Sequence, residues 1–177
     1  LHPLAFSALV LVAVMVGIRE LNHAFKRVGI VVPSYFLEIA SIIVVVSAYV
    51  AGVAGLAVAA AFTIPNLFVF LLALAPAEFI KRISVAAMAI FYVPFLAGFI
   101  VLLAHSEHRF DRILTLVILV ASNDTFAYIA GVLFGRRPLA PHISPKKTWE
   151  GLIGAFVATT TVSSLVFHFA VHKPWWL

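Results

Sequence analysis

The chain has 177 residues, of which 64% are hydrophobic and only 11% are charged. Water-soluble domains contain roughly 45–50% apolar and about 25% charged residues, so this composition excludes an ordinary soluble fold. The net charge is +5 and there is no cysteine, which excludes disulfides and thiolate metal sites. The basic residues lie in short clusters between apolar runs, which favours membrane topology as their role and argues against a nucleic-acid partner.

Six apolar runs predict an all-α, polytopic transmembrane helical bundle of about six spans, since each run approaches the length that crosses a bilayer. The runs lie at about residues 4–18, 36–50, 53–75, 83–104, 113–134 and 149–169. Only a short segment with Gly52 and Gly55 joins the second run to the third, which predicts a tight helical hairpin. Pro65 and Pro94 lie inside runs, where membrane helices tolerate proline, usually with a kink.

The basic residues between the runs predict how the chain is oriented. One set of alternate loops holds nine of them: Arg19, Lys26, Arg27, Lys81, Arg82, Arg136, Arg137, Lys146 and Lys147. The opposite set holds three: Arg109, Arg112 and Lys173. Cytoplasmic loops are enriched in lysine and arginine, so we expect the first set in the cytoplasm and Trp175 and Trp176 at the outer interface.

An acidic residue, Asp124, lies near the middle of the fifth run. Eleven residues separate it from Gly135, which is about 16 Å of helix and places the carboxylate deep in hydrocarbon. A carboxylate at that depth is costly and by default indicates a cavity, a partner or an ion. Two interpretations remain open, a metal- or proton-binding group and a protonated or hydrogen-bonded aspartate that joins two helices.

The helix face of Asp124 continues with Tyr128, Gly131 and Gly135, by their i, i+4, i+7 and i+11 spacing. Two glycines four residues apart let another backbone approach closely, although such pairs are common in membrane helices. The pair therefore permits a close approach of another backbone, and the motif alone does not establish one.

The segment after the fifth run combines proline with basic residues. Residues 135–151 are Gly-Arg-Arg-Pro-Leu-Ala-Pro-His-Ile-Ser-Pro-Lys-Lys-Thr-Trp-Glu-Gly. The lack of apolar periodicity predicts a loop, and Ser144 before Pro145 predicts the N-cap and first residue of the next helix. Free amides there, beside Lys146 and Lys147, would form a phosphate site. Alternatively, the basic residues only anchor the chain at the interface.

The ordered residues of this region resemble the phosphatidate cytidylyltransferase (CDP-diacylglycerol synthase) family. The resemblance covers about residues 121–154, and the earlier runs are similar only in hydropathy. It is carried by Asn123-Asp124-Thr125-Phe126-Ala127-Tyr128, Gly131, Phe134-Gly135-Arg136, Leu139-Ala140-Pro141 and Ile143-Ser144-Pro145-Lys146-Lys147-Thr148-Trp149-Glu150-Gly151.

The resemblance implies a nucleotidyltransferase of phospholipid synthesis that converts CTP and phosphatidate to CDP-diacylglycerol and pyrophosphate with Mg²⁺. It places Asp124 in the catalytic metal site. The substrate-binding residues that it implies are Asn123, Tyr128, Arg136, Ser144, Lys146, Lys147 and Thr148. We expect an integral protein of a bacterial inner membrane whose active-site loop is cytoplasmic; the sequence leaves a homodimer open.

The chain departs from the family pattern in two respects. Val132 stands where many members carry a basic residue. Members also continue into Lys-Asp and His-Gly-Gly-x-x-Asp elements, whereas Glu150 is the last acidic residue here. A two-metal centre would lack ligands without these elements, so we expect the chain to be inactive alone. Since it begins with Leu1 rather than methionine, we also expect a fragment. It would comprise an N-terminal helix bundle (residues 1–112) and a partial catalytic region (113–177) with a cytoplasmic loop at 135–148.

Two other classes of function remain. A proton- or cation-coupled transporter would use Asp124 as a relay, but it predicts further polar residues at mid-membrane, and the first four runs carry almost none. A non-catalytic membrane module is compatible with the missing C-terminal elements.

Overall fold

The computed structural model describes residues 2–74, 76–141 and 144–169. Its helices are α1 (Pro3–Arg27), α2 (Ser34–Leu74), α3 (Phe79–Ile90), α4 (Leu96–Ala104), α5 (Arg109–Phe134) and α6 (Trp149–Phe169). Two short strands, β1 (Pro138–Ala140) and β2 (Ser144–Thr148), lie between α5 and α6. Five helical segments in this part of the chain are long and apolar enough to cross a membrane.

The helices follow from the apolar composition, because hydrocarbon offers no partner for backbone N–H and C=O groups and a helix satisfies them internally. The chain is therefore an all-α, polytopic integral membrane protein, as the sequence predicted.

Helix α2 is broken at Ala51 and Gly52 and folds back on itself. Gly52 has φ of +62° and ψ of −145°, a conformation that glycine adopts without steric cost. The rings of Phe36 and Phe70 stack with centroids 4.7 Å apart, whereas an unbroken helix would separate these residues by about 50 Å. The predicted hairpin is confirmed, and α2 alone supplies two of the six expected spans.

The first compact unit, Leu1–Arg109, is built around the α2 hairpin. Helices α1, α3 and α4 all pack against α2, and the buried side chains include Ile18, Val44, Leu56, Leu67, Ile90 and Val101. At one end, Arg19 forms an ion pair with Glu38 at 2.9 Å, and Nδ2 of Asn22 donates to Oγ of Ser34 at 2.8 Å. These polar contacts hold the end of α1 against the start of α2.

A π-helical turn, Phe91–Phe95, joins α3 to α4. It contains Pro94, which has no N–H and whose ring crowds the carbonyl one turn before it, so the helix widens there and then continues. The predicted fourth span is accordingly continuous through Pro94.

The second compact unit, Phe110–Leu177, contains the two strands and α6. The sequence predicted that the segment before α6 is a loop and that the helix begins at Ser144 and Pro145. That prediction is wrong: Ser144–Thr148 is a strand paired antiparallel with Pro138–Ala140, and α6 begins at Trp149. The pairing is possible because Pro138 is the first residue of its strand, where a missing N–H is tolerated.

Lys173, Trp175 and Trp176, which the sequence assigned to the outer side, lie outside the described residues.

Candidate active site

Helices α5 and α6 approach each other through small residues. A Cβ atom on Gly151 would lie 2.8 Å from the carbonyl oxygen of Ala127 and 3.3 Å from Cα of Gly131. A Cβ atom on Gly154 would overlap the Cβ of Ala130. We call these five residues the α5–α6 seam. Glycine is needed on α6 because the backbone of α5 faces Gly151 and the methyl group of Ala130 faces Gly154, which leaves no space for a larger side chain.

The glycine pair that the sequence singled out on α5 lies at the start of this seam. A Cβ on Gly131 would be 3.4 Å from Oγ1 of Thr148, and one on Gly135 would be 2.9 Å from its Cγ2. The close approach that this pair permits is therefore present, with the start of α6 as the approaching segment. Sequence reasoning missed the packing role of Gly151 and Gly154, although small residues are enriched where membrane helices pack closely.

Asp124 lies on α5 seven residues, or about two turns, before Gly131, so both residues share a helix face. Oδ1 of Asp124 accepts a hydrogen bond from Nδ2 of Asn123 at 3.3 Å, and both side chains are exposed. Tyr128, one turn further along, is 72% exposed. The contact made by Asp124 stays within α5, so the described residues do not show it joining two helices.

Strand β2 carries two of the predicted phosphate ligands on a bulge. The strands make two cross-strand pairs, Pro138 with Thr148 and Ala140 with Ser144. One residue separates these pairs on β1 but three separate them on β2, so β2 has two residues with no partner opposite. Bulges bend a strand and are over-represented next to active sites. Lys146 and Lys147 lie in this bulged stretch, and both side chains are exposed.

The start of α6 is capped by Thr148 and not by Ser144. Oγ1 of Thr148 accepts the N–H of Gly151 at 3.1 Å, which is an N-cap contact. The N–H of Trp149 donates to the carbonyl oxygen of Arg137 at 3.0 Å. Two amides of the first turn are therefore already bound within the protein. The expected site of free helix amides is thus not supported, and cationic side chains are what this segment offers to a phosphate.

Glu150 connects α6 to the chain that leaves α5. Its Oε2 atom accepts the N–H of Arg136 at 3.1 Å and the N–H of Arg137 at 3.2 Å. Sequence reasoning noted Glu150 only as the last acidic residue and missed this contact. The available signal was its place in the first turn of a helix, where a carboxylate commonly faces backbone N–H groups.

The structure brings some of the predicted site residues together and leaves others apart. Thr148 lies against Gly131 and Gly135, and the backbone of Arg136 is held by Glu150. The predicted residues of α5 are one group and those of β2 another, and the described residues show no hydrogen bond between the two groups.

Asp124 presents a single carboxylate on its face of α5. Across residues 2–74, 76–141 and 144–169, no three histidine, aspartate or glutamate side chains are grouped as a metal site. Mg²⁺ is usually held by one or two carboxylates, with substrate phosphates and water as the other ligands. A single carboxylate beside the Asn123 amide therefore fits a cation that arrives with a nucleotide.

Three relatives illustrate what the chain is similar to. The phosphatidate cytidylyltransferase of Mycobacterium leprae is 37% identical over 99 residues, which are 55% of this chain and 32% of that protein. The phosphatidate cytidylyltransferase of Haemophilus influenzae is 39% identical over 83 residues, 44% of this chain and 29% of that protein. Phosphatidate cytidylyltransferase 1 of Arabidopsis thaliana is 49% identical over 57 residues, 32% of this chain and 13% of that protein.

The chain spans about a third of the length of the two bacterial relatives. No solved structure matches it at a significant level. The sequence profile described as the cytidylyltransferase family, however, matches residues 1–177, the whole chain. The chain therefore belongs to the cytidylyltransferase family.

Proposed function

We propose that the protein transfers the cytidylyl group of CTP to phosphatidate, forming CDP-diacylglycerol and pyrophosphate for phospholipid synthesis. Family membership supports the class of reaction, and the names of the relatives support the two substrates. The structural observation that carries the proposal is the segment of residues 135–148, which we call the basic loop. It follows the helix that bears Asp124 and is held to the start of α6. The transporter alternative is not favoured, because the family is one of transferases.

The proposed reaction begins when a phosphatidate oxygen attacks the α-phosphorus of CTP. The nucleophile is already ionised, so the protein has to orient the reactants and stabilise charge more than to move protons. Lys146 and Lys147, exposed on the bulge of β2, bind the oxygens of the triphosphate and stabilise the pyrophosphate as it leaves. Mg²⁺, with Asp124 as its protein ligand, would neutralise further phosphate charge when bound.

The remaining predicted residues have supporting roles in this proposal. Asn123 and Tyr128 flank Asp124 on α5, where they orient the substrate that lies against this helix. Arg136 adds a cationic side chain beside the triphosphate, and Ser144 contributes a hydroxyl at the first residue of β2. Thr148 holds the start of α6 in place through its contact with Gly151.

The proposed site opens at a membrane surface, because one substrate is a lipid and the other is water-soluble. We propose that this surface is the cytoplasmic face of a bacterial inner membrane, on which Lys146 and Arg136 would lie. The excess of basic residues in the same set of loops supports this orientation.

Asp124→Asn in the full-length protein tests the proposal. The substitution keeps the size and the hydrogen bonding of the side chain but removes the charge that a cation requires. We expect CDP-diacylglycerol formation to fall by about two decades or more, the scale of removing one electrostatic contribution to a transition state. The measurement is product formed from labelled CTP in solubilised membranes, with the amount of inserted protein quantified in parallel.

Asp111→Asn is the matched control, because it makes the same chemical change at an aspartate in the first turn of α5. The control variant should keep wild-type activity. Retention of most activity by Asp124→Asn, at equal membrane content, would overturn the metal role and leave Asp124 as a residue of helix packing.

A further inference from the structure

We infer that Glu150 is a positioning residue of the basic loop, and that it acts by accepting main-chain N–H groups and not by pairing with a cation. The inference rests on the proposed function, because the loop is the proposed site for the phosphates of CTP. It goes beyond that function in assigning a role to a side chain that contacts neither substrate.

The first support is the geometry at the point where the chain leaves α5. Gly135 ends the helix, with its N–H donating to the carbonyl oxygen of Gly131 at 3.1 Å. The next two N–H groups, of Arg136 and Arg137, both donate to Oε2 of Glu150. Because one side-chain oxygen accepts two successive N–H groups, this contact fixes the direction in which the loop starts.

The second support is a hydrogen bond in which the backbone of the same loop is the acceptor and the start of α6 is the donor. The N–H of Trp149 donates to the carbonyl oxygen of Arg137, while Glu150 accepts the N–H of Arg137. The pairing of β1 with β2 lies between these contacts. The bulge with Lys146 and Lys147 is thus held from both ends of the loop, and Glu150 is the side chain that links those ends.

The third support is that the described residues show no ion pair at this carboxylate. Arg19 pairs with Glu38 and Arg82 pairs with Glu78, and Glu150 belongs to neither pair. The side chains of Arg136 and Arg137 are exposed. Holding the main chain therefore leaves both guanidinium groups available for phosphate oxygens, which an ion pair with Glu150 would not.

Two substitutions distinguish whether Glu150 acts as a hydrogen-bond acceptor or through its negative charge. Glu150→Gln keeps an oxygen that can accept both N–H groups, so we expect its KM for CTP to stay within about threefold of the wild type. Glu150→Met has a similar length and no oxygen, so its KM for CTP should rise tenfold or more, because small misplacements of binding groups cost about this much. The KM for phosphatidate should change less than that for CTP in both variants.

The experiment is steady-state kinetics on the full-length protein, with Glu78→Met as the control for removing a carboxylate from the short 3-10 helix (Pro76–Glu78) that precedes α3. Limited trypsin digestion at Arg136, Lys146 and Lys147 provides a second measurement that needs no activity. Glu150→Met should speed cleavage there about tenfold, and Glu150→Gln should not.

Equal impairment of the Gln and Met variants would show that the charge matters and would overturn the inference. Wild-type kinetics and wild-type digestion in both variants would overturn it as well. If Glu150→Met is not inserted in the membrane, the outcome for Glu150→Gln decides, since strong impairment of that variant contradicts the inference. A wild-type protein without cytidylyltransferase activity would refute the proposed function, and the digestion experiment would still test the contact itself.

Discussion

Two pairs of basic residues of this protein lie in different structural settings. Lys26 and Arg27 lie in the last turn of α1, where positive charge is stabilised by the helix dipole, and Nζ of Lys26 donates to Oγ of Ser34 at 3.3 Å. Lys146 and Lys147 lie instead on a bulged strand with exposed side chains. The first setting suits anchoring at a membrane interface, and the second leaves the ammonium groups open to a ligand.

Substitution of either strand lysine should separate phosphate binding from anchoring. Lysine is a compact charge and arginine a wide planar fork, so Lys146→Arg or Lys147→Arg should raise the KM for CTP more than that for phosphatidate. Replacement by Gln should cost about 1.5–3 kcal/mol for a lost charged contact, or about one to two decades in kcat/KM. Steady-state kinetics with both substrates varied measures these effects.

Lys26→Gln is the control, because it removes a basic residue of the first setting, and it should leave the kinetics unchanged. Expression and insertion of the strand variants should also be normal, since Arg136 and Arg137 keep the loop basic. Identical kinetics for the wild type and for the Arg and Gln variants would mean that the two lysines are topology signals only.

At the scale of the elements, the residues of the α5–α6 seam are glycine and alanine, so the two helices can approach closely. Each helix forms on its own because hydrocarbon offers its backbone groups no other partner. Lipid tails are as apolar as the helix side chains, so no hydrophobic force brings the two helices together. Close packing of small residues then provides the attraction, and Gly151 and Gly154 are where α6 meets Ala127 and Ala130 of α5. The seam places the first turn of α6, with Glu150, beside the end of α5.

Gly154→Ala should destabilise this pair of helices, because the new methyl group would overlap the Cβ of Ala130. Overpacking of this kind costs about 1–3 kcal/mol, which lowers Tm by several degrees for a chain of this size. Adding Ala130→Gly removes the opposing methyl group and should restore most of the lost stability. Thermal unfolding in detergent tests both variants; a stable single variant, or a double variant without recovery, would contradict the described seam.

Across the whole molecule, we expect the charge of the loops to decide the side of the membrane on which each loop lies. The loops alternate in their content of lysine and arginine, with nine such residues in one set and three in the other. The positive-inside rule assigns the larger set to the cytoplasm, and the proposed access of CTP to the basic loop requires the same orientation.

Single cysteine substitutions test this orientation, since the chain has no cysteine of its own. Lys81→Cys, Arg136→Cys and Lys146→Cys should react with an impermeant thiol reagent only after the membrane is opened. Arg109→Cys should react in intact cells and serves as the positive control for labelling. Reaction of Lys146→Cys from outside in intact cells would show that the orientation is reversed.

The sequence by itself determined the membrane-spanning helices and the face of α5 that carries Asp124. The predicted runs at 113–134 and 149–169 correspond to α5 (Arg109–Phe134) and α6 (Trp149–Phe169), because a long apolar segment in hydrocarbon can satisfy its backbone only as a helix. The hairpin at Gly52 could be predicted for a similar reason, since two apolar runs joined by a short glycine segment must reverse direction. The roles of Asp124 and the lysines remain proposals that family resemblance supports.

Only the tertiary structure decided how the chain passes from α5 to α6. Local preference indicated that Ser144 and Pro145 begin a helix, but pairing with β1 makes them part of a strand and moves the cap to Thr148. The contact of Glu150 with the amides of Arg136 and Arg137 joins residues 13 and 14 positions apart. Residues so far apart meet through the packing of the helices at the seam, so local preference indicated that a first-turn carboxylate faces backbone N–H groups but not which ones.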